Sequence, residues 1–405
     1  MTMAGTRQAP LRSAQPSAGL ARRLARCACI DDLRQLARAR LPTALFDFVD
    51  GAAGAERTLR ENREAYAAWD LVARFGIDVA SRSAATTIAG RASSMPLAIA
   101  PTGLAGLLHP DGEIAMARAA TEAGIPFCLS TNSVVSLDKL ARAVPDGNLW
   151  FQTYFVRDRA WLDAIVKRAA DAGYGTLCVT VDLPLAGRRE RDVRNAFTVP
   201  VRPTLSNALD LARRWSWLAG ARRTRFRFGN FEQAGARNEF VSIAQFVANM
   251  FDPSASWEDV ARLRSAWKGK MVVKGILSAA DAERAVEVGA DGVIVSNHGG
   301  RQLDGCRPSL VALADIRGAL GDRTELLVDS GVRRGTDIAT ALALGASAGM
   351  IGRAALYGLA AGGQAGVARA IQLIGSEFDN AMALMGITSV AELNSGSLLP
   401  SALRR

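Results

Sequence analysis

From residue 96 onward the chain alternates short apolar, β-prone runs with stretches whose apolar positions recur at helical spacing. The runs fall at 97–100, 127–129, 149–151, 177–181, 271–273, 292–295, 326–328 and 348–351, eight in all. Helices are predicted between most of them, at 113–123, 161–172, 279–288, 309–320 and 337–344. Apart from Thr180 the runs carry no polar side chain, the pattern of parallel strands covered on both faces. Eight such units predict an α/β protein of the (β/α)8 TIM-barrel class over about 96–375. An open doubly wound sheet is the alternative.

Upstream, Asp31 and Asp32 can cap a helix running through Leu33, Leu36, Ala37 and Leu41 and stopped by Pro42. A second helix is expected from Thr43 to Val49, closed by the small residues 51–54, and a polar one from Glu56 to Trp69. This N-terminal helical segment and the barrel form one domain, 30–395, between a disordered basic tail at 1–29 and a short C-terminal tail at 396–405. The alternation breaks once, in a long excursion from Val199 to Asn249 after the fourth strand.

Barrel enzymes gather functional side chains just after the strands. Here those positions are polar in strand after strand: Thr102 and Gly103, Ser130, Gln152 and Tyr154, Thr180 and Asp182, Lys274, Ser296 to Arg301, Asp329 to Arg333, then Gly352 and Arg353. The densest stretch is Val295-Ser-Asn-His-Gly-Gly-Arg-Gln-Leu-Asp304. Its His298 can take a proton near neutral pH, and its Arg301 can hold a carboxylate. Together they suit proton abstraction beside a carboxylate. The same spacing also fits a plain glycine turn with a solvated arginine. Asp329-Ser330-Gly331-Val332-Arg333 and Gly352-Arg353 offer glycine N–H groups beside arginines, as phosphate sites do.

Composition narrows the class. Hydrophobic content of 49% and charged content of 22% describe a globular chain with a sizeable core. A net charge of +10 favours anionic partners. The five cysteines form no CxxC pair and no disulfide framework, which fits a reducing compartment, and Cys128 and Cys178 read as inert core residues. No apolar run is long enough to span a membrane, and the Arg-rich first thirty residues lack a secretory h-region. Within the excursion, 209–228 interleaves aromatics and leucines with arginines. That pattern suits a membrane interface better than RNA, since no RNA-binding module accompanies it, and a long active-site lid remains the plainer reading.

Taken together, these blocks resemble the FMN-dependent α-hydroxy-acid oxidase and dehydrogenase family. The resemblance rests on Leu41-Pro42 with Phe46-Asp47, and on 94–103, 151–154, 180–182, 187–190, 273–275, 296–304, 329–335 and 351–353. It runs over about 30–395, and 149–152, 187–192 and 354–361 are most similar to the (S)-mandelate dehydrogenase branch. It implies bound FMN, no metal, and oxidation of an (S)-2-hydroxy acid to the 2-oxo acid. It makes His298 the base and Asp182 its partner, with Arg301 and Arg189 on the substrate carboxylate and Tyr154 at the hydroxyl. Thr102, Gly103, Ser130, Gln152, Thr180, Lys274 and Ser296 would surround the flavin ring. Asp329, Ser330, Gly331, Val332, Arg333, Gly352 and Arg353 would take its ribityl chain and phosphate.

One residue departs from the family pattern. Phe48 stands where a tyrosine usually binds the substrate carboxylate. Apolar surface there suits a bulky acid such as mandelate, with L-lactate or glycolate as alternatives. Gly103, where oxidases more often carry alanine, implies a dehydrogenase. The resemblance further implies a membrane quinone as electron acceptor, peripheral membrane contact through 199–249, a homotetramer, and a place in the cytoplasm or on the inner face of its membrane. A flavin-binding protein without turnover and a basic RNA-surface protein are the remaining readings, and no nucleic-acid partner is expected.

Overall fold

The computed structural model describes residues 16–198, 208–221, 228–231 and 250–402. Eight parallel strands close into a barrel: Leu97–Ile99, Phe127–Ser130, Leu149–Tyr154, Thr176–Thr180, Lys270–Ile276, Gly292–Val295, Glu325–Val328 and Ala348–Ile351. They neighbour one another in chain order, and the eighth pairs with the first through Gly349 and Leu97. These are the eight apolar runs, so the closed barrel replaces the open-sheet alternative. Their interior is packed solid. Ala98, Ala100, Cys128, Trp150, Cys178, Val272, Ile294, Leu327, Ala348 and Met350 form one buried cluster inside it.

The lower end is plugged by a hairpin, Thr86–Ile88 with Arg91–Ser93, whose Ile88 and Ala89 join that cluster. The Glu325 carboxylate, at the start of the seventh strand, accepts the Ala89 N–H at 2.9 Å and pins the plug. Function is therefore confined to the opposite mouth.

The helices between strands lie within two residues of their expected bounds; for example, Ser309–Leu320 is observed where 309–320 was expected. The long Arg353–Leu384 helix is interrupted at Gly362 and Gly363. Upstream, Ile30–Arg40 lays Ile30, Leu33 and Ala37 against it. Its N-cap is Cys29, two residues before the expected Asp31, because the Asp32 carboxylate reaches back to accept the N–H groups of Ala28 (2.7 Å) and Cys29 (3.2 Å).

Both expected tails need correction where they are described. Ala18–Ala25, placed in a disordered basic tail at 1–29, is a helix capped by Ser17. Its Leu20 and Leu24 stand four residues apart on one face, and Leu24 is buried beside Gly362 of the long helix. Leu398–Pro400, placed in the C-terminal tail, pairs antiparallel with Trp69–Leu71. An apolar stripe in a basic segment and a three-residue strand are both weak signals without their tertiary partners. Most of the 199–249 excursion lies outside the described residues. Its described parts are two short helices, Ala208–Arg213 and Trp215–Ala221, and the turn 228–231.

Trp150 is fully buried at the centre of the barrel. Trp150→Ala is expected to lower the unfolding free energy by about 3–5 kcal/mol, measured by denaturant titration; a loss below 1 kcal/mol would mean that the interior repacks freely.

Candidate active site

The mouth of the barrel opens into a cleft. Its walls include Phe48, Thr102, Gly103, Tyr154, Arg189, Lys274, His298, Arg301, Asp329 to Arg333, Gly352 and Arg353. Most strand-end residues singled out from sequence thus reach one space. Asp182, Ser130, Gln152, Thr180 and Ser296 stand just behind that wall, bonded to or packed against the residues that line it.

His298 occupies a 3-10 turn after the sixth strand with φ 58°, a left-handed conformation unusual for a residue with a side chain. Its Nδ1 lies 3.0 and 3.2 Å from the two carboxylate oxygens of Asp182. With Nδ1–H donating to Asp182, Nε2 is left to accept a proton. Burial would raise the Asp182 carboxyl, but the charge and hydrogen bond of His298, with Lys274 behind, hold it below the ordinary aspartate value. The close approach of Asp182 needs Gly275, at φ +103°, where a Cβ would sit 2.5 Å from the Asp182 Cβ.

The turn itself is locked from outside the barrel. Asn62 and Asn297 exchange two side-chain amide hydrogen bonds at 2.9 and 2.7 Å. The Asn297 Oδ1 also accepts the Gly300 N–H at 3.1 Å. Gly300 packs so closely on the Arg57–Glu64 helix that a Cβ would lie 2.8 Å from the Leu59 nitrogen.

Two arginines face the histidine. Arg301 Nη1 donates to the carbonyls of Phe48 (2.7 Å) and Gly51 (3.1 Å), and its guanidinium lies 5.0 Å from the centre of the Phe48 ring. Arg189 lies 5.7 Å from the same ring and is tied by Nε to Asp192 at 2.6 Å. Burial first, then repulsion from Arg189 and Arg353, pushes the Arg301 pKa well down. A carboxylate between them would relieve that repulsion. Phe48 in turn stacks on Phe197 at 4.8 Å. Tyr154 lies beside His298, ring centres 6.5 Å apart, and burial pushes its hydroxyl pKa up, so it remains a proton donor for hydrogen bonding.

The floor suits a flavin. Lys274, 3% exposed, donates to Ser296 Oγ at 2.6 Å and pairs with Asp329 at 3.0 Å. Burial would lower its pKa, but Asp329 and Asp182 raise it on balance, so a fixed positive charge stays in the floor. Gln152 Oε1 accepts from Ser130 at 3.0 Å, while its amide Nε2 and the Thr180 hydroxyl are buried without a partner. Such orphans call for a polar ligand; a ring bearing carbonyl and nitrogen groups supplies it. Gly331 and Gly352 leave open backbone beside Arg333. Arg353 is more committed than expected, donating to the carbonyls of Val49, Gly51 and Gly299 at 2.7–3.0 Å.

Several cleft residues escape sequence reasoning. Asn132 lines the cleft against Gly103, with its Oδ1 buried and unpartnered, and Leu183, Ala186, Phe228, Gln302 and Leu356 complete the wall. Gln302 adjoins Arg301 in sequence and could have been inferred. Asn62 could not, being one polar residue in a polar helix. Among the described residues, no group of His, Cys, Asp or Glu is placed to hold a metal ion, and no helix is long and apolar enough to cross a membrane.

The comparisons with known proteins agree with this geometry. A model of the FMN-dependent dehydrogenase family matches residues 37–400. An L-lactate dehydrogenase of Caulobacter vibrioides is 44% identical over 367 residues, 90% of this chain and 95% of the relative. The (S)-mandelate dehydrogenase of Pseudomonas putida is 42% identical over 367 residues, 90% and 92% of the two chains. A crystal structure of monotopic membrane protein (S)-mandelate dehydrogenase superposes with a TM-score of 0.87 at 40% identity, covering 93% of this chain and 100% of that one. The chain belongs to the FMN-dependent dehydrogenase family. It is an oxidoreductase that acts on 2-hydroxy acids with FMN as cofactor.

The depressed Asp182 pKa gives a pH test. Its stabilising effect is full above the unfolded aspartate value, about 3.9, and is lost as pH falls through the lower folded value. Asp182→Asn should therefore be less stable than the parent at pH 5, and the gap should narrow on acidification toward pH 2. Denaturant titrations at both pH values check this; a gap that widens in acid contradicts the pairing.

Proposed function

We propose that the enzyme oxidises a bulky (S)-2-hydroxy acid such as mandelate to its 2-oxo acid. The observation that carries the substrate class is the aromatic wall: the Phe48 ring lies under both arginines and against Phe197, with Phe228 also lining the cleft. A ring substituent on the acid finds apolar surface there, and a small acid finds no hydroxyl at position 48 to bind its carboxylate.

When bound, FMN accepts the two electrons that leave the substrate α-carbon. Arg301 and Arg189 hold the substrate carboxylate and fix the α-carbon against His298. Tyr154 hydrogen-bonds the hydroxyl oxygen. His298 Nε2 takes the proton released in the oxidation, from the α-carbon or the hydroxyl, and Asp182 stabilises the imidazolium so formed. Lys274, Gln152, Thr180, Ser130, Ser296, Thr102 and Gly103 would surround the flavin ring. Asp329 to Arg333, Gly352 and Arg353 would take its ribityl chain and phosphate.

L-Lactate is the second reading, supported by the Caulobacter relative at 44% identity. For the electron acceptor we favour a membrane quinone. Peripheral membrane contact is supported by exposed Leu209 and Trp215 in the excursion and by the monotopic relative. Assembly as a homotetramer fits the exposed apolar residues Phe75, Ile77, Leu384 and Leu399.

Anaerobic addition of (S)-mandelate should bleach the flavin absorbance faster, at equal concentration, than L-lactate does. Bleaching by lactate alone would move the substrate to the second reading. His298→Ala should keep the yellow cofactor and lose turnover by about 10²- to 10⁴-fold; turnover close to the parent's removes it as the base. Phe48→Tyr should lower KM for L-lactate by about ten-fold or more, the value of one hydrogen bond to a charged group, and an unchanged KM would separate Phe48 from substrate choice.

A further inference from the structure

The two arms that carry the arginine pair come from distant parts of the chain. Arg189 sits in the loop after the fourth strand, just ahead of the short Glu190–Arg194 helix. The carbonyls that hold Arg301 belong to Phe48, on the Thr43–Asp50 helix, and to Gly51 just beyond it. Arg189 is held by Asp192 on its own arm and touches the other arm only through the face of Phe48, without a hydrogen bond. Something must fix one arm against the other.

Arg191 spans that joint. Its Nη1 reaches Asp50 at 3.1 Å and Asp47 at 3.4 Å, and its Nη2 reaches Glu56 at 2.5 Å. Asp50 is a rigid anchor, only 5% exposed, gripped by both forks of Arg34 (2.5 and 2.8 Å) and by the Tyr357 hydroxyl (2.7 Å). The Arg191 stem also passes directly over Gly51, where a Cβ would stand 3.2 Å from its Cδ. Gly51 presents its carbonyl to Arg301 at 3.1 Å and to Arg353 at 2.7 Å. One guanidinium therefore touches the arm that carries Arg189 and the turn that aims Arg301. None of the other ties is an ion pair: Asn195 donates to Asp47 at 2.9 Å, the Gly54 N–H to the Arg188 carbonyl at 3.0 Å and the Gly187 N–H to Gln302 Oε1 at 3.1 Å, while Phe48 stacks on Phe197 and lies under Arg189.

We infer that Arg191 is a positioning residue for the substrate carboxylate site, setting the spacing between Arg189 and Arg301. It does not line the cleft. Without it, the carboxylates at 47, 50 and 56 face one another with Arg34 on Asp50 and Arg353 near Asp50 and Glu56, the turn at Gly51 relaxes, and the two forks lose register. The inference rests on the reading that Arg189 and Arg301 hold the substrate carboxylate.

The test uses FMN-loaded Arg191→Met, Arg191→Lys and, in parallel, Arg189→Met. Readouts are KM and kcat for the hydroxy acid, FMN content, and the Kd of oxalate, a non-reacting dicarboxylate, from its perturbation of the flavin spectrum. Arg191→Met should raise KM and the oxalate Kd about ten-fold, with a much smaller change in kcat and full FMN content, since misplaced binding groups weaken affinity steeply. Arg191→Lys, which keeps the charge but cannot fork across three carboxylates, should fall between Met and the parent. Unchanged KM and Kd in Arg191→Met, while Arg189→Met weakens both, overturns the positioning role alone. Unchanged binding in Arg189→Met overturns the carboxylate reading beneath it. If Arg191→Met folds poorly, Glu56→Gln removes one partner of Arg191 without touching the cleft. A thermal midpoint lowered in that variant with KM unmoved also overturns the proposal.

Discussion

Guanidinium groups crowded into one cleft repel, and the mouth of this barrel is built around that constraint. Arg301 lies beside Arg189 and Arg353, and burial together with their charge depresses its pKa. The protein answers first with dipoles. Carbonyls of Phe48, Val49, Gly51 and Gly299 accept from Arg301 or Arg353. Carbonyl dipoles only partly offset a full charge in a low-dielectric site, so an anion gains more here than in water. In the reading proposed above, selectivity for acids begins with that unbalanced charge.

Those carbonyls explain why the N-terminal helices belong to the active site although they lie outside the barrel. Thr43–Asp50 brings Phe48 and Val49, and Arg57–Glu64 brings Asn62 to the turn that carries His298. The barrel supplies a ring of side chains at fixed spacing. The added helices turn that ring into an enclosed cleft and hold its most strained turn from above. The arrangement separates tasks: strand ends carry charge and proton chemistry, while the appended segment sets shape.

What was legible in the sequence follows the same division. The eight strands and the residues just beyond them could be read because apolar runs and polar strand ends are local signals. His298, Asp182, Lys274 and Gln152 all fall where that rule places them. The long-range links were not legible. Asn62 and Asn297 are 235 residues apart, and Arg191 and Asp50 are 141 apart. Nothing in the composition of either neighbourhood announces its partner. The helix at Ala18–Ala25 was missed for a related reason, since its apolar face makes sense only beside the long C-terminal helix.

The left-handed backbone of His298 bears on how this enzyme responds to selection. At φ 58° glycine is at ease and a histidine is not, a difference of roughly 1–3 kcal/mol. The least comfortable residue of the turn is thus the one we propose as the base. Replacing that histidine by glycine would relieve the backbone but leave the buried Asp182 carboxylate without its partner, so the strain cannot simply be selected away. Lineages that keep turnover must instead gather their stability elsewhere, in the packed barrel interior and in the helices wrapped outside it.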